Sequence, residues 1–586
     1  MKDFIKMVLA VICGVFIAGV ICLFLFFGML GSLAASSKPL LPKSGVLRID
    51  LASLAIGEQT KEANPLEDFD PTSLLTGSKS SGRTIGILDA VQAIDEAAED
   101  PGVKYIYLRP CGNLSGVSAL EELRVALDRF RTTSGKPVIA YLESFTTQEY
   151  YIASVADKIY LSSNVGVEAG INGIGTQMLF FGDLLKKYGI NVQLIRHGKY
   201  KSAGETYTRG NSSPENREQY QRMVDSIWET LGDKIAESRG ISRADLDALI
   251  DGLKLRSPQD CFAYGLVDEL VNAEQLEDKL TTMAVLEEYK DIKWMSLPDY
   301  AEASKVPSKA RKKIAIIYAE GEIVEGSSKG NIAGDRFAAL VDKARADSTV
   351  KAVVLRVNSP GGSVTASEKI KQALDRLQQD KPLIASYGSM AASGGYWITN
   401  NCDKIFSDAT TLTGSIGVFG LVPDISKAAK EVAHIGIEAV TSHKHGDMLS
   451  MMRPLDASEY NYMLAGIEDV YDRFTTIVSE GRGIPKETVD AIGQGRVWTG
   501  ADAIGINLVD EIGTLQDALR YAAVAAGDED LSAWRIVSYP TPPSAMEQYM
   551  SLLGGKNDDD NAIIAAFNRL TSPKAYARLD NDIRIR

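Results

Sequence analysis

The chain has 586 residues, 45% of them hydrophobic and 24% charged, which is ordinary for a globular protein. With 63 basic against 77 acidic side chains the formal net charge is −14. That balance argues against a nucleic-acid partner, because phosphate binding needs clustered Lys and Arg, and the length leaves room for about two to four domains with real cores.

Residues 1–6 include Lys2 and Lys6, and no further charged residue occurs until Lys38. The run 7–35 is apolar or small and contains Phe24-Leu25-Phe26-Phe27. A bilayer core takes about 20 apolar residues in a helix, whereas signal-peptide cores span roughly 7–15. The run therefore predicts an uncleaved single-pass anchor over 7–35 in the lipid bilayer. The lysines place 1–6 in the cytoplasm and the bulk of the chain across the membrane. Ser32-Leu33-Ala34-Ala35-Ser36 offers the alternative of a long cleaved signal. Outside this run, Cys111, Cys261 and Cys402 have neither disulfide nor metal-ligand spacing and read as small buried residues.

The rest of the chain contains one domain twice. The stretch Val103-Lys104-Tyr105-Ile106-Tyr107-Leu108-Arg109 matches Val350-Lys351-Ala352-Val353-Val354-Leu355-Arg356 at an offset of 247. Asp157-Lys158-Ile159-Tyr160 matches Asp403-Lys404-Ile405-Phe406 at 246, and Gly189-Ile190 matches Gly436-Ile437 at 247. This period is far longer than a solenoid unit. We therefore expect a first copy over 44–297, a linker over 298–312, a second copy over 313–540 and a tail over 541–586.

Each copy reads as alternating strand and helix, which implies a largely parallel sheet covered by helices. Val46 to Leu51 and Ile314 to Tyr318 resemble each other as opening strands. Ala352 to Leu355 is an apolar run suited to a strand buried on both faces. After the turn Asn358-Ser359-Pro360-Gly361-Gly362, Thr365 and Glu368 have capping-box spacing. Ile370, Ala373, Leu374 and Leu377 then define one apolar helix face. Pro382 to Tyr387 reads as the next strand, with Gly388 ending it and a new helix near Ala392.

The wear between copies is complementary. Ser393, in Ala391-Ala392-Ser393-Gly394-Gly395-Tyr396, faces Thr147 in the first copy, and Lys201 faces Met448 in the second. Ser393 follows a strand and a turn and is a candidate nucleophile, with Ser389 as local competitor. A helix start there would favour an oxyanion through its unpaired N–H groups. The glycines of 358–363 can offer main-chain N–H donors to an acyl oxygen. In the first copy that loop becomes Pro110-Cys111-Gly112-Asn113-Leu114-Ser115, and the paired glycines are lost with the serine. A serine nucleophile needs a base. No Gly-x-Ser-x-Gly elbow surrounds Ser393, and a triad with one of the four histidines is neither suggested nor excluded. His443 and His445 could pair on a metal but lack an evident third ligand. Lys201 can act as base if burial keeps it neutral, and Lys199 is the alternative.

Taken together, the motifs around Gly361-Gly362, Ser393 and Gly198-Lys199-Tyr200-Lys201-Ser202-Ala203 resemble the double-length form of the signal peptide peptidase A family. The resemblance spans the anchor, both copies and the motif order. It implies the Clp protease/crotonase fold of repeated ββα units. It further implies a Ser–Lys dyad of Ser393 and Lys201, with Ser415 contacting the lysine amine. Main-chain N–H groups of Gly361, Gly362 and Gly394 are the implied oxyanion hole, and no cofactor or metal is implied. The implied activity is a membrane-anchored serine endopeptidase degrading remnant signal peptides, as a homotetramer at the bacterial cytoplasmic membrane with the catalytic domains outside the cytoplasm. An idle scaffold of the same fold is the alternative, and acyl-CoA chemistry on a crotonase-like core is disfavoured by the anchor.

Overall fold

The computed structural model describes residues 39–61, 83–112 and 116–541, apart from 165, 168, 307 and 329, together with 576–578 and isolated helical positions 14, 17 and 19. The anchor expected over 7–35 otherwise lies outside the described residues. Among the described residues no helix is long and apolar enough to cross a membrane.

In the first copy, β1 (Gly45–Asp50) leads through α1 (Ile87–Glu99) to β2 (Val103–Arg109) and α2 (Val117–Ser134). The chain continues through β3 (Val138–Leu142), α3 (Thr147–Ala153) and β4 (Lys158–Ser162). It then leaves its own sheet as β5 (Asn191–Arg196) and α4 (Pro214–Arg239), and returns as β6 (Glu269–Val271) and β7 (Trp294–Ser296). The sheet order is β6-β4-β3-β2-β1-β7, every pair parallel. The segment expected as a linker begins with α5 (Leu297–Ser304), which buries Leu297 and Tyr300 and bonds Tyr300 Oη to Asp100 Oδ2 at 2.9 Å. Part of that segment thus belongs to the first copy's core.

In the second copy, β8 (Lys313–Glu320), β9 (Val350–Ser359) and β10 (Gly361–Ser363) precede α6 (Val364–Gln378). There follow β11 (Leu383–Ala392), α7 (Gly394–Trp397), β12 (Lys404–Ser407), β13 (Leu412–Gly414) and β14 (Phe419–Asp424). The chain ends through α8 (Ala457–Arg482), β15 (Val497–Thr499), α9 (Leu515–Ala525), β16 (Arg535–Tyr539) and β17 (Tyr576–Arg578). The main path of the second sheet is β15-β13-β11-β9-β8-β16, parallel except for β13 with β15. Residues Ala352 to Val357 are all buried, as a strand covered on both faces requires.

Two local expectations are corrected. The cap of α6 is Ser363, whose Oγ accepts from Ala366 N–H, rather than Thr365. The apolar face Ile370, Ala373, Leu374 and Leu377 is buried as read. Strand β11 runs through Gly388. A side chain there would meet Glu58 Oε1 at 2.4 Å and Asn358 Cβ at 3.2 Å, so the glycine permits close packing rather than ending the strand.

A third sheet joins the copies. Strand β5 of the first copy pairs antiparallel with β14 of the second, from Asn191↔Asp424 to Arg196↔Phe419. The same sheet contains β17, antiparallel to both β10 and β14. A second junction lies under the main sheets, where α2 docks on β11. Arg356, 1% exposed, donates to Glu58 Oε2 at 2.7 Å and Glu122 Oε1 at 2.6 Å. Beside it Glu121 accepts from the N–H groups of Ala409 and Thr410, and Ser118 Oγ donates to Asp408. Burial pushes the Glu121 carboxyl up to about 7 and those of Glu122 and Asp408 above their usual range.

Candidate active site

Ser393 ends β11 and opens α7. Its backbone sits at φ 56° and ψ −112°, a conformation a non-glycine residue keeps only when its surroundings hold it. Here Ser393 N–H donates to Gly414 O and Trp397 N–H donates to Ser393 O, both at 2.8 Å. The hydroxyl makes no cap bond to α7. The Ser393 side chain therefore does not serve as a helix cap. Helix α7 is a single turn, too short for the strong N-terminal dipole expected from the sequence.

Lys201 arrives on the third sheet, just after β5. It is 1% exposed, and its Nζ lies 2.8 Å from Ser393 Oγ. Nζ also donates to Ser415 Oγ at 3.0 Å and Ser415 O at 3.1 Å. Ser415 has φ 49°, so both serines occupy held, left-handed backbone positions. Nucleophile candidate and base candidate meet within one chain, a point on which the sequence was silent.

The glycine loop sits against Ser393. A Cβ on Gly362 would fall 1.9 Å from Ile323 O, at φ +156°. A Cβ on Gly394 would lie 3.1 Å from both Gly361 Cα and Gly362 N. These positions need glycine for close approach. Gly361 departs from its expected role: its N–H donates to Ser359 Oγ at 3.1 Å.

A model of "Peptidase family S49" matches residues 131–287 and 375–528. "Protease 4" of Haemophilus influenzae is 37% identical over 467 residues, covering 75% of this chain and 73% of that protein. "Protease 4" of Salmonella typhi is 35% identical over 480 residues, covering 80% and 76% respectively. "Serine protease SPPA, chloroplastic" of Arabidopsis thaliana is 28% identical over 468 residues, covering 78% and 68%. The chain belongs to peptidase family S49. It is a serine peptidase acting on peptides, with the two-copy layout of the double-length branch. The first matched stretch contains Lys201 and the second contains Ser393 and Ser415.

The competing candidates stand apart. Ser389 Oγ lies where a Cβ on Gly116 would fall, at the α2 junction. Lys199 is exposed, with Nζ 5.1 Å from the centre of the Tyr200 ring. His197 stacks on Tyr471 at 3.6 Å, with Nδ1 2.6 Å from Glu468 Oε2. His443 bonds Ser442, and His434 is exposed. His445 gathers with Asp456 and Glu459 rather than with His443. Arg453 donates to Glu459 at 2.7 Å, so a guanidinium already supplies the positive charge there.

Sequence reasoning missed how Lys201 is held. The turn 493–496 of the second copy closes over it: Tyr200 N–H donates to Gln494 O at 3.0 Å, and Ser415 N–H donates to Arg496 O at 2.7 Å. A Cβ on Gly495 would lie 2.5 Å from Lys201 Cβ. Tyr471 Oη accepts from Gln494 N–H at 3.1 Å and donates to Asp490 at 2.7 Å. Burial and that carboxylate push its phenol up, so it stays neutral. A pair of glycines around an unremarkable Gln is the only trace of this turn in the sequence.

Proposed function

We propose that this chain is a membrane-anchored endopeptidase that degrades cleaved signal peptides and similar apolar peptides, using Ser393 as nucleophile and Lys201 as general base. The observation that carries this reading is the 2.8 Å approach of Lys201 Nζ to Ser393 Oγ, both buried between the copies. A neutral amine has one lone pair for the Ser393 proton and N–H donors for Ser415 Oγ and O. Burial penalises the ammonium and so favours that neutral form. Ser415 orients the base through its hydroxyl and carbonyl oxygens.

In this mechanism Ser393 Oγ attacks the scissile carbonyl carbon and its proton passes to Lys201 Nζ. The oxyanion is met by main-chain N–H groups of Gly362 and Gly394, with Gly361 kept in place by Ser359. Such donors are worth about 3–4 kcal/mol each. Collapse breaks the C–N bond, and the ammonium returns the proton to the leaving amine. Water then attacks the ester, gives a proton to Lys201, and the acid leaves as Ser393 recovers its hydrogen. An extended substrate is supported by β17, whose backbone pairs with β10 from Gly361↔Arg578 to Ser363↔Tyr576. β17 lies between β10 and β14, so a substrate peptide that takes its place in the sheet would run beside the dyad.

The apolar run 7–35 is the basis for an anchor with 1–6 cytoplasmic and both copies beyond the membrane, and the resemblance is the basis for a homotetramer. The test is cleavage of a signal-like peptide, with fluorophosphonate labelling, by full-length wild type, Ser393→Ala, Lys201→Ala and Lys199→Ala. Ser393→Ala and Lys201→Ala should each lose at least about 10³-fold in kcat, and Ser393→Ala should lose labelling. Full cleavage and labelling in Ser393→Ala would sink the dyad. Activity retained in Lys201→Ala but lost in Lys199→Ala would move the base.

A further inference from the structure

Helix α4 begins with a Ser213 cap and Pro214 and turns one face towards the Lys201 loop. On that face lies Gln219, 4% exposed. A buried amide has both donors and acceptors to satisfy. Its Nε2 donates to Tyr200 O at 3.0 Å and to Ser202 Oγ at 2.9 Å, and also faces Asn216 Oδ1 at 3.1 Å. It therefore grips the residue before Lys201 and the residue after it. Its Oε1 accepts from Val497 N–H at 3.3 Å.

Val497 belongs to the other copy. It pairs with Gly414 in β13, and the next residue is Ser415, whose oxygens hold Lys201 Nζ. One amide side chain thus closes a ring. Its nitrogen fixes the backbone on which Lys201 stands, and its oxygen fixes the strand that presents Ser415 to the amine. Arg196 Nη1 donates to Lys201 O at 2.7 Å and braces the same backbone. With the main chain fixed, the four-carbon side chain of Lys201 has only its own rotamers left to order.

We propose that Gln219 is a positioning residue for Lys201, setting the distance of the amine from Ser393 and keeping it dry. This rests on Lys201 being the base. Gln219 touches neither substrate nor the reacting atoms. Its loss should let Lys201 withdraw and hydrate, so that its ammonium becomes easier to form.

The test uses the full-length chain and a signal-like peptide, comparing Gln219→Met, Gln219→Glu and Ser226→Ala. Ser226 lies on the same helix and bonds Thr499 of the same strand at 2.6 Å, with no bond to the Lys201 loop. Gln219→Met should lower kcat about ten- to a hundredfold, the scale of a small misplacement of a reacting group. KM should stay within about twofold, since ground-state binding is untouched. Labelling by fluorophosphonate should slow in step, and the acid limb of the pH–rate profile should move to higher pH. Gln219→Glu keeps the size and the acceptor for Val497 but loses the donors. Its added carboxylate should move the acid limb further, and it carries the test if Gln219→Met does not fold. Ser226→Ala should keep the wild-type kcat and pH profile. A wild-type kcat and acid limb in the folded Gln219 variants overturns the proposal. So does an equal loss in Ser226→Ala, which would mean general docking. Activity retained by Lys201→Ala would instead remove the premise, and that outcome is distinguishable because it does not involve Gln219.

Discussion

Gly112 in the first copy and Gly362 in the second share one backbone conformation but use it for opposite ends. Gly112 in the first copy has φ +157°, and a Cβ there would fall 2.1 Å from Leu51 O. Gly362 in the second has φ +156° and a Cβ position 1.9 Å from Ile323 O. In the second copy this loop faces Ser393 and Gly394. In the first, Gly112 N–H donates to Glu149 Oε1 at 2.8 Å, and the other oxygen of Glu149 closes the capping box of α3. Thr147, at the serine's place, accepts from Asn172 N–H and donates to Gly173 O, both at 3.1 Å. The first copy fills its own anion cradle with a carboxylate and so makes it structural. The same copy sends β5 into the sheet of its neighbour and brings Lys201 to Ser393. The first copy thus closes its own loop on Glu149 and contributes to the candidate site through a different segment.

The largest expected effect breaks this equivalence directly. Gly362→Ala and Gly112→Ala impose similar clashes with a main-chain oxygen, of Ile323 and of Leu51. Gly362→Ala should cut kcat at least about a hundredfold, the scale of losing an oxyanion donor. Gly112→Ala should lower the melting temperature but leave kcat per folded molecule unchanged. Active-site titration with a fluorophosphonate separates the two. Equal kcat losses would mean that the first-copy loop also serves the chemistry.

A second pair compares one repeat position in two environments. Arg109 and Arg356 are related by the offset of 247. Arg109 is 27% exposed, near Asp50 at 3.2 Å and Glu143 at 3.4 Å. Arg356 is sealed at the junction of the copies with Glu58 and Glu122. Arg109→Met should cost no more than about 1 kcal/mol. Arg356→Met strands two buried carboxylates and should cost about 3–5 kcal/mol. Denaturant unfolding of both variants measures the difference. A near-neutral Arg356→Met would mean that the copies separate before the core unfolds.

These contrasts also mark what could be read from the sequence. The repeat was legible because apolar strand runs and paired Asp-Lys motifs recur at one offset. Ser393 and Lys201 stood out because each lost its counterpart in the other copy. The pairing of β5 with β14 was not legible, since exchange of a strand between copies depends on tertiary contacts and leaves no local pattern. The cap of α6 was misplaced because Ser363 and Thr365 both offer hydroxyls within one turn. Helix α5 hid in a polar stretch because only Leu297 and Tyr300 bury themselves. Gln219 hid for the opposite reason: a glutamine inside a charged helix reads as surface until its partners are seen.

The smallest expected effect concerns Glu121 and its repeat partner Glu368, again one position in two settings. Glu368 lies at the molecular surface, 27% exposed, with Trp397 and Arg473 as partners. Glu121 is buried against Thr410 and Ala409, with Glu122, Asp408 and Tyr151 around it. Burial first, then the charge of Glu122, raises its carboxyl from 4.5 to about 7 against the opposing bonds from Thr410 and Ala409. Between those values the folded state holds the extra proton, so the stability linked to this group is full below the unfolded value and is lost as pH rises through about 7. The wild-type melting temperature should therefore fall between about pH 5 and pH 8 by on the order of a few degrees more than that of Glu121→Gln. Glu368→Gln should follow the wild-type slope. Taking the difference between variants removes the histidines, which titrate in the same window. Parallel slopes for wild type and Glu121→Gln would show that the carboxylate is charged in the folded junction, and Arg356 would then have to balance Glu121 as well as Glu58 and Glu122.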